Sequence, residues 1–277
     1  MRGKSRCCLA SLGAALLFLA SSPATAQISL GTAQAFGVLG ASTVTNTGPT
    51  VVNGNVGLTP GSSITGFPPG TVVSGAIQIN NAAALQAKVD INNAFTNINA
   101  MPCSVTFGAA QDISLLSPIN AAATPVLCFT SSALMTGPVT ITGASGDSIV
   151  FKIGSTLTVS NNATATLAGG ISCDHVLWGV GSSATLGTNS TFVGDILALA
   201  SVTLNTGASA AGRAFALNGA VTLDTNVVTP CSISALAGGV SGTPTLSEWG
   251  LIILAALMMI FGLRMSRRRG HEAGLSR

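Results

Sequence analysis

Groups capable of acid–base or metal chemistry are few in this chain and are spread along it. The 277 residues include 8 acidic and 2 histidine side chains. Asp174 and His175 form the most suggestive pair, but they follow Cys173 directly, which favours a structural turn. Acid–base or metal-assisted catalysis needs clustered carboxylates, usually with a basic residue nearby. The dispersed aspartates therefore argue against an enzyme, and the lack of a Cys-x-x-Cys motif argues against a metal or other cofactor.

Threonine recurs at one spacing in the second half of the chain. Thr185, Thr203 and Thr222 each precede a leucine, and they are separated by 18 and 19 residues. Thr158 occupies the same place in a more distant copy, 155–161. A repeat of this size indicates stacked units that share one core.

The repeated segments alternate apolar and polar residues and end at Gly or Asn, which is typical of strands and turns. A period of 18–19 residues accommodates one coil of three short strands, which is a β-solenoid. Under the two-residue alternation of a strand, Leu186, Leu204 and Leu223 point inward and their threonine neighbours point outward.

The segment 81–99 has a different character and predicts a helix. Asn81 can cap its start, and the alanines that follow favour helix. Nineteen residues give about 28 Å, which covers about six coils stacked at about 4.8 Å. The expected apolar stripe consists of Leu85, Val89, Ile91, Phe95 and Ile98.

The N-terminal residues 1–26 have the features of a secretory signal peptide. Arg2, Lys4 and Arg6 precede an apolar run at 9–20, and small residues at 24–26 provide a cleavage site. We therefore expect the chain to be exported.

The C-terminal region predicts a linker with a sorting motif (236–248), a transmembrane helix (249–265) and a basic cytoplasmic tail (266–277). It resembles the Pro-Thr-Leu type sorting signals of Gram-negative bacteria, although Thr243 stands where Ile or Val is usual. The motif residues are Pro244, Thr245, Leu246, Glu248 and Trp249. The resemblance implies a membrane sorting protease as partner, and location in the cell envelope or outside the cell, with membrane anchoring before any processing.

Four cysteines lie between these terminal segments: Cys103, Cys128, Cys173 and Cys231. An even number in an exported chain predicts two disulfides, for which three pairings exist. We favour Cys103–Cys128 and Cys173–Cys231, because each would brace a separate part of the domain.

The exported part carries little charge. Between residues 27 and 240 the charged side chains are Lys88, Lys152, Arg213, Asp90, Asp112, Asp147, Asp174, Asp195 and Asp224. Three cations cannot neutralise a run of phosphates, which argues against nucleic-acid binding. Asp195 and Arg213 lie one repeat apart and are expected to pair between coils.

Residues 30–231 resemble the widespread microbial ice-binding protein family, whose members occur in bacteria, fungi and microalgae. The resemblance rests on the segments 39–48 and 52–57, the alanine-rich helix, and the segments 178–188 and 212–216, in that order. It implies a mostly β fold for domain 27–235, a discontinuous right-handed β-solenoid of triangular section with one long α-helix packed alongside. It also implies adsorption to ice through a flat face rich in Thr.

Threonines on such a face form a regular grid. Outward residues two apart along a strand are separated by about 6.6–6.8 Å, and stacked coils by about 4.8 Å. The methyl group organises water, the hydroxyl anchors it, and the β-branch restricts χ1. We expect the ice-binding residues to be Thr158, Thr185, Thr203 and Thr222. The pairs Thr140/Thr142, Thr156/Thr158 and Thr164/Thr166 are alternatives. The rival interpretation is a surface adhesin or matrix protein without ice affinity.

Overall fold

Short stretches of alternating apolar and polar residues fold into strands of two to five residues, and every pair of adjacent strands is parallel. The computed structural model describes residues 28–231. Successive strands belong to three different faces, so three strands close one coil, as the repeat length predicts.

Sheet 1 has nine strands. In spatial order they are β7 (Ile77–Ile79), β4 (Asn55–Leu58), β1 (Phe36–Gly40), β23 (Ala214–Ala216), β20 (Asp195–Ala198), β17 (Val176–Val180), β14 (Ile149–Ile153), β11 (Val126–Phe129) and β8 (Val105–Phe107).

Sheet 2 has eight strands. They are β5 (Ser63–Thr65), β2 (Thr43–Thr47), β24 (Val221–Asp224), β21 (Val202–Leu204), β18 (Ala184–Leu186), β15 (Leu157–Val159), β12 (Ala133–Met135) and β9 (Gln111–Asp112).

The third face, sheet 3, consists of a five-stranded and a three-stranded part, which one bridge between Thr164 and Thr191 connects. The five strands are β19 (Thr191–Val193), β22 (Ser209–Ala211), β25 (Val227–Thr229), β3 (Val51–Asn53) and β6 (Thr71–Val73). The three are β10 (Ile119–Asn120), β13 (Val139–Thr142) and β16 (Ala165–Ala168).

The solenoid is discontinuous along the chain. Strand β1 lies between β4 and β23, and β2 lies between β5 and β24. The N-terminal coils therefore stack on the last C-terminal coil, and the helical segment connects the two ends of the stack.

The interior is apolar and contains an aromatic stack. Trp178 lies against Phe151 with ring centroids 3.7 Å apart, and its Nε1 donates to the Val193 carbonyl over 2.9 Å. Leu186, Leu204 and Leu223 are buried, as predicted.

The helix α1 (Ala82–Ala100) begins as the sequence predicts, with the Asn81 Oδ1 accepting from the Ala84 N–H over 3.0 Å. It covers sheet 1, and the apolar cluster beneath it draws residues from six strands, β1, β11, β14, β17, β20 and β23. Asp90 accepts from the N–H of Thr32 over 2.7 Å, which fastens a short 3-10 helix, Gly31–Ala35, to α1.

The predicted apolar stripe of the helix is partly wrong. Ile91, Phe95 and Ile98 are buried, but Leu85 and Val89 are about half exposed, at 52% and 50%. The other buried positions are Ala84, Ala87 and Ala94. The helix lies so close to the sheet that a Cβ on Gly179 would be 2.6 Å from Ile98 Cγ2. The buried face therefore combines these small alanines with Ile91, Phe95 and Ile98, and Leu85 and Val89 lie outside it.

Both predicted disulfides are present, Cys103–Cys128 and Cys173–Cys231. The first joins the segment after α1 to β11. The second joins the residues before β17 to the end of the described chain.

The predicted signal peptide, linker, transmembrane helix and basic tail lie outside the described residues. Within residues 28–231, no helix has the length and hydropathy needed to cross a membrane.

Candidate functional site

The four candidate threonines form one column on sheet 2. Thr158 pairs laterally with Thr185, Thr185 with Thr203, and Thr203 with Thr222. Both neighbours of each threonine along its strand are buried, so its side chain projects from the outer surface. The stacking expected from the 18–19-residue repeat is confirmed.

The structure adds two threonines that the repeat did not reveal. Thr45 on β2 pairs with Thr222, and Thr65 on β5 pairs with Thr45. They belong to the N-terminal coils, which meet the C-terminal coils only through the discontinuous stacking. The available signal was the local alternation Val44-Thr45 and Ile64-Thr65, which shows an outward threonine but not its partner.

The complete column therefore contains Thr65, Thr45, Thr222, Thr203, Thr185 and Thr158, in that order. Three of them are exposed and three are partly exposed. Six strands at about 4.8 Å spacing give a column of about 24 Å. No charged side chain interrupts it between Thr65 and Thr158.

The column ends at β12 and β9. Leu134 pairs with Thr158, and Asp112 pairs with Leu134. Although partial burial opposes the effect, hydrogen bonds from the Thr136 hydroxyl and from the Ser114 and Thr136 N–H groups lower the pKa of Asp112 below its ordinary value. A charged residue thus lies beyond the threonines.

A left-handed residue follows each of the six strands of the column and fixes the edge of sheet 2. The residues with positive φ are Asn162 (59°), Asn189 (55°), Gly207 (74°), Thr225 (56°), Gly48 (82°) and Gly66 (81°). Asn and Gly favour this conformation. The repeated turn gives successive coils the same path and keeps the threonines in register.

Hydroxyls that flank the column are bonded within the protein. Ser132 and Thr156 contact each other over 2.9 Å, and Ser201 Oγ accepts from the Ala220 N–H over 3.2 Å. On the other flank, Thr206 and Thr225 donate to Asp224. The flanking groups stabilise the coils, and the outward column presents its hydroxyls to solvent.

Three of the four alternative threonines on sheet 3, Thr140, Thr142 and Thr166, also use their hydroxyls internally. Thr140 and Thr166 contact each other over 3.3 Å, and Thr142 donates to the Ile119 carbonyl over 3.2 Å. This part of the face is only three strands wide. Sheet 2 therefore offers the longer regular array.

The acid–base pair has a local structural setting. Asp174 and His175 lie in a 3-10 helix, Cys173–His175, and His175 Nδ1 is 3.0 Å from the Asp147 carbonyl oxygen. Within residues 28–231, no three His, Cys, Asp or Glu residues are placed to hold a metal ion.

Asp195 and Arg213 form the expected ion pair, which is fully buried beneath the surface. Arg213 Nη1 lies 2.9 Å from Asp195 Oδ2. Burial raises the pKa of Asp195 to about 6, because desolvation outweighs the attraction of Arg213.

These features define a class of protein: a three-faced parallel β-solenoid with a helix along one face and an uncharged threonine column on another. The chain belongs to the ice-binding family, since the family model described as ice-binding-like matches residues 38–229. A second model, the IPTL-CTERM motif, matches residues 244–269 and indicates export to the cell surface.

The similar proteins agree with this family. An ice-binding protein of Nostoc sp. (strain HG1) is 40% identical over 246 residues, which are 87% of this chain and 88% of the relative. A crystal structure of an ice binding protein from an Antarctic biological consortium has a TM-score of 0.68 and 37% identity, covering 76% of this chain and 95% of that one. The ice-binding protein of Antarctomyces psychrotrophicus has a TM-score of 0.65 and 35% identity, covering 73% and 98%.

Proposed function

We propose that this protein binds ice through the threonine column of sheet 2. The observation that carries the proposal is the alignment of six outward threonines, one per coil, on adjacent parallel strands. Adsorption to a crystal sums many weak contacts, and it requires a rigid array whose spacing repeats. The ordered coils and restricted threonine rotamers provide such an array at low entropic cost.

The proposal includes display at the cell envelope. In it, residues 1–26 direct export, residues 249–265 hold the chain in the membrane, and a membrane sorting protease acts at the motif around Pro244, Thr245 and Leu246. Ice-binding names among the relatives and the sorting-motif match support this arrangement. The displayed domain would inhibit growth or recrystallisation of ice near the cell.

The test is a thermal hysteresis and recrystallisation assay on residues 27–240. We expect shaped crystals, a gap between melting and freezing points, and slower recrystallisation than in a matched solution of an unrelated protein. A folded domain that neither shapes ice nor slows recrystallisation would contradict ice binding. The displayed adhesin or matrix protein would then be the better interpretation.

A further inference from the structure

The route by which the chain leaves the solenoid bears on how a displayed domain withstands force. Strand β25 ends at Thr229, and Cys231 is the last described residue. The sorting motif lies beyond it, at 244–269. A domain that is held through its C-terminal segment and adheres to a solid therefore receives tension at Cys231. This inference rests on the display that the proposed function includes.

Tension applied at this point would act first on the last coil. Strand β25 would be peeled from its end, and β24 would follow. A peeled strand loses its hydrogen bonds one after another, so each bond bears the load alone. Because β24 carries Thr222, its loss would separate Thr45 and Thr65 from the rest of the column.

We propose that the Cys173–Cys231 disulfide acts as a mechanical bypass: it carries tension past the last coil and so protects the threonine column under load. The bond connects Cys231 to a residue 58 positions earlier, immediately before β17. In sheet 1, β17 lies two strands from β23. Tension at Cys231 therefore passes covalently into the β17 coil and leaves β25 and β24 unloaded.

A buried polar cluster fixes the position of Cys231, where tension enters the disulfide. Arg213 Nη2 donates to the Cys231 carbonyl over 3.3 Å and to the Gln34 carbonyl over 3.0 Å. Its Nη1 contacts both carboxylate oxygens of Asp195, at 3.1 and 2.9 Å. The Arg213 guanidinium thus binds three places at once: Cys231 at the C-terminal end of the described domain, Gln34 in the N-terminal segment, and Asp195 at the start of β20.

The spacing explains why these groups meet. Asp195, Arg213 and Cys231 follow one another at intervals of 18 residues, one coil each. Asp195 and Arg213 lie at the same corner of the solenoid, where sheet 3 leads into sheet 1, and the Cys231 carbonyl reaches the same guanidinium. Cys231 turns toward Cys173, and the Cα atoms of the two cysteines are 5.6 Å apart.

Single-molecule force spectroscopy tests the bypass independently of ice. The full chain is studied in detergent and is pulled from two attachment points. One handle follows Arg277, and the other is attached to an azide-bearing phenylalanine that replaces exposed Ala168, five residues before Cys173. With the disulfide intact, only five residues separate the handle from the bond. Beyond the extension of the C-terminal tail, we expect less than about 20 Å of chain to be released, at about 3.6 Å per residue.

The variant Cys173→Ala/Cys231→Ala should release about 200 Å more, from 58 residues at about 3.4 Å each, in steps that begin at low force. Forced unfolding follows the unfolding rate, so the force of the first step reports how readily the last coil is peeled. Cys103→Ala/Cys128→Ala is the matched control and should behave like the unmodified chain, because that bond lies outside the pulled segment.

The proposal is overturned if the Cys173→Ala/Cys231→Ala variant resists the same force as the unmodified chain without releasing length. If that variant does not fold, reduction of tethered Cys103→Ala/Cys128→Ala molecules gives the same comparison on chains that folded with the bond. Thermal hysteresis of the unmodified domain is a separate readout. Its absence would contradict ice binding and leave the force result intact.

Discussion

At the scale of single residues, threonines of similar sequence context differ in what their hydroxyls contact. Thr203 projects outward between buried Val202 and Leu204, whereas Thr206 donates to Asp224 and supports a turn. The first is available to order water, and the second stabilises the corner of a coil. Composition alone does not distinguish them, because both lie in the same repeat.

Replacing Thr203 by Tyr should abolish most thermal hysteresis, because one bulky side chain in the middle of a flat array prevents close contact with a crystal. The melting temperature should hardly change, since surface substitutions usually cost under about 0.5 kcal/mol. Thr203→Ser keeps the hydroxyl and should be milder. Thr166→Tyr, on exposed sheet 3, is the matched control. Full activity of a folded Thr203→Tyr protein would exclude this column.

The buried Asp195 predicts a pH dependence of stability. Its pKa rises from 3.8 to about 6 on folding, so the folded state binds this proton more tightly than the unfolded state does. Its contribution to the free energy of unfolding is therefore fully present below pH 3.8 and is lost as pH rises through about 6. Arg213 and Asp174 face the carboxyl and act with opposite signs.

Urea denaturation at pH 4 and pH 7 of the wild type and Asp195→Asn isolates this group. Carboxyls with lowered pKa, such as Asp90 and Asp112, act in the opposite direction but are common to both proteins. We expect the wild type to lose stability relative to the variant as pH rises from 4 to 7. A difference that stays constant or grows in favour of the wild type would contradict the raised pKa.

At the scale of elements, the length of the column depends on which strands carry an outward threonine. Leu134 on β12 occupies the next position and pairs with Thr158. Leu134→Thr should extend the array by one coil and increase thermal hysteresis at equal protein concentration. Leu134→Ala is the control that removes the bulk without adding a hydroxyl. If the two variants have equal activity, the added hydroxyl contributes nothing.

The Cys103–Cys128 disulfide acts on elements away from the threonine column. Cys103–Cys128 fastens the chain after α1 to β11 of sheet 1. Cys103→Ala/Cys128→Ala should lower the free energy of unfolding by about 2–5 kcal/mol, measured by urea denaturation. It should leave thermal hysteresis near 0 °C intact, because the bond is not on sheet 2.

In the unmodified domain both disulfides should be formed. Thiol titration under denaturing, non-reducing conditions should therefore find no free thiol, and two or more free thiols would contradict the presence of both disulfides.

Local regularities in the sequence predicted the strands and the stacking of adjacent repeats better than the pairing of strands that are distant in sequence. The alternation around Thr185, Thr203 and Thr222 is local, so the strands and their stacking could be inferred. The pairing of Thr45 with Thr222 could not, because it depends on the N-terminal coils closing against the C-terminal ones. The buried face of α1 was misjudged at Leu85 for a related reason: close approach to sheet 1 selects alanine, and hydrophobicity alone ranks leucine higher.

At the scale of the whole molecule, the discontinuous order makes the active surface depend on both ends of the domain. Thr45 and Thr65 come from coils that precede α1, and the other four threonines come from coils that follow it. Several contacts close this junction, including the Arg213 bonds to the Gln34 carbonyl and the Asn226 N–H bond to Thr50 Oγ1 over 3.0 Å. The domain must therefore fold as one unit before the complete column exists.

The same reasoning sets the C-terminal boundary of the unit. The coils close on themselves by Cys231, whose disulfide to Cys173 and carbonyl contact with Arg213 complete the described domain. A chain that ends at Val240 should therefore fold and keep the thermal hysteresis and melting temperature of the longer protein. The comparison is made by calorimetry and ice-shaping on residues 27–240 and on the same chain extended to Arg277 in detergent. Residues 243–277 would serve sorting and anchoring alone in that case. A shortened domain that aggregates, or that melts far below the longer chain, would show that the C-terminal segment contributes to the fold.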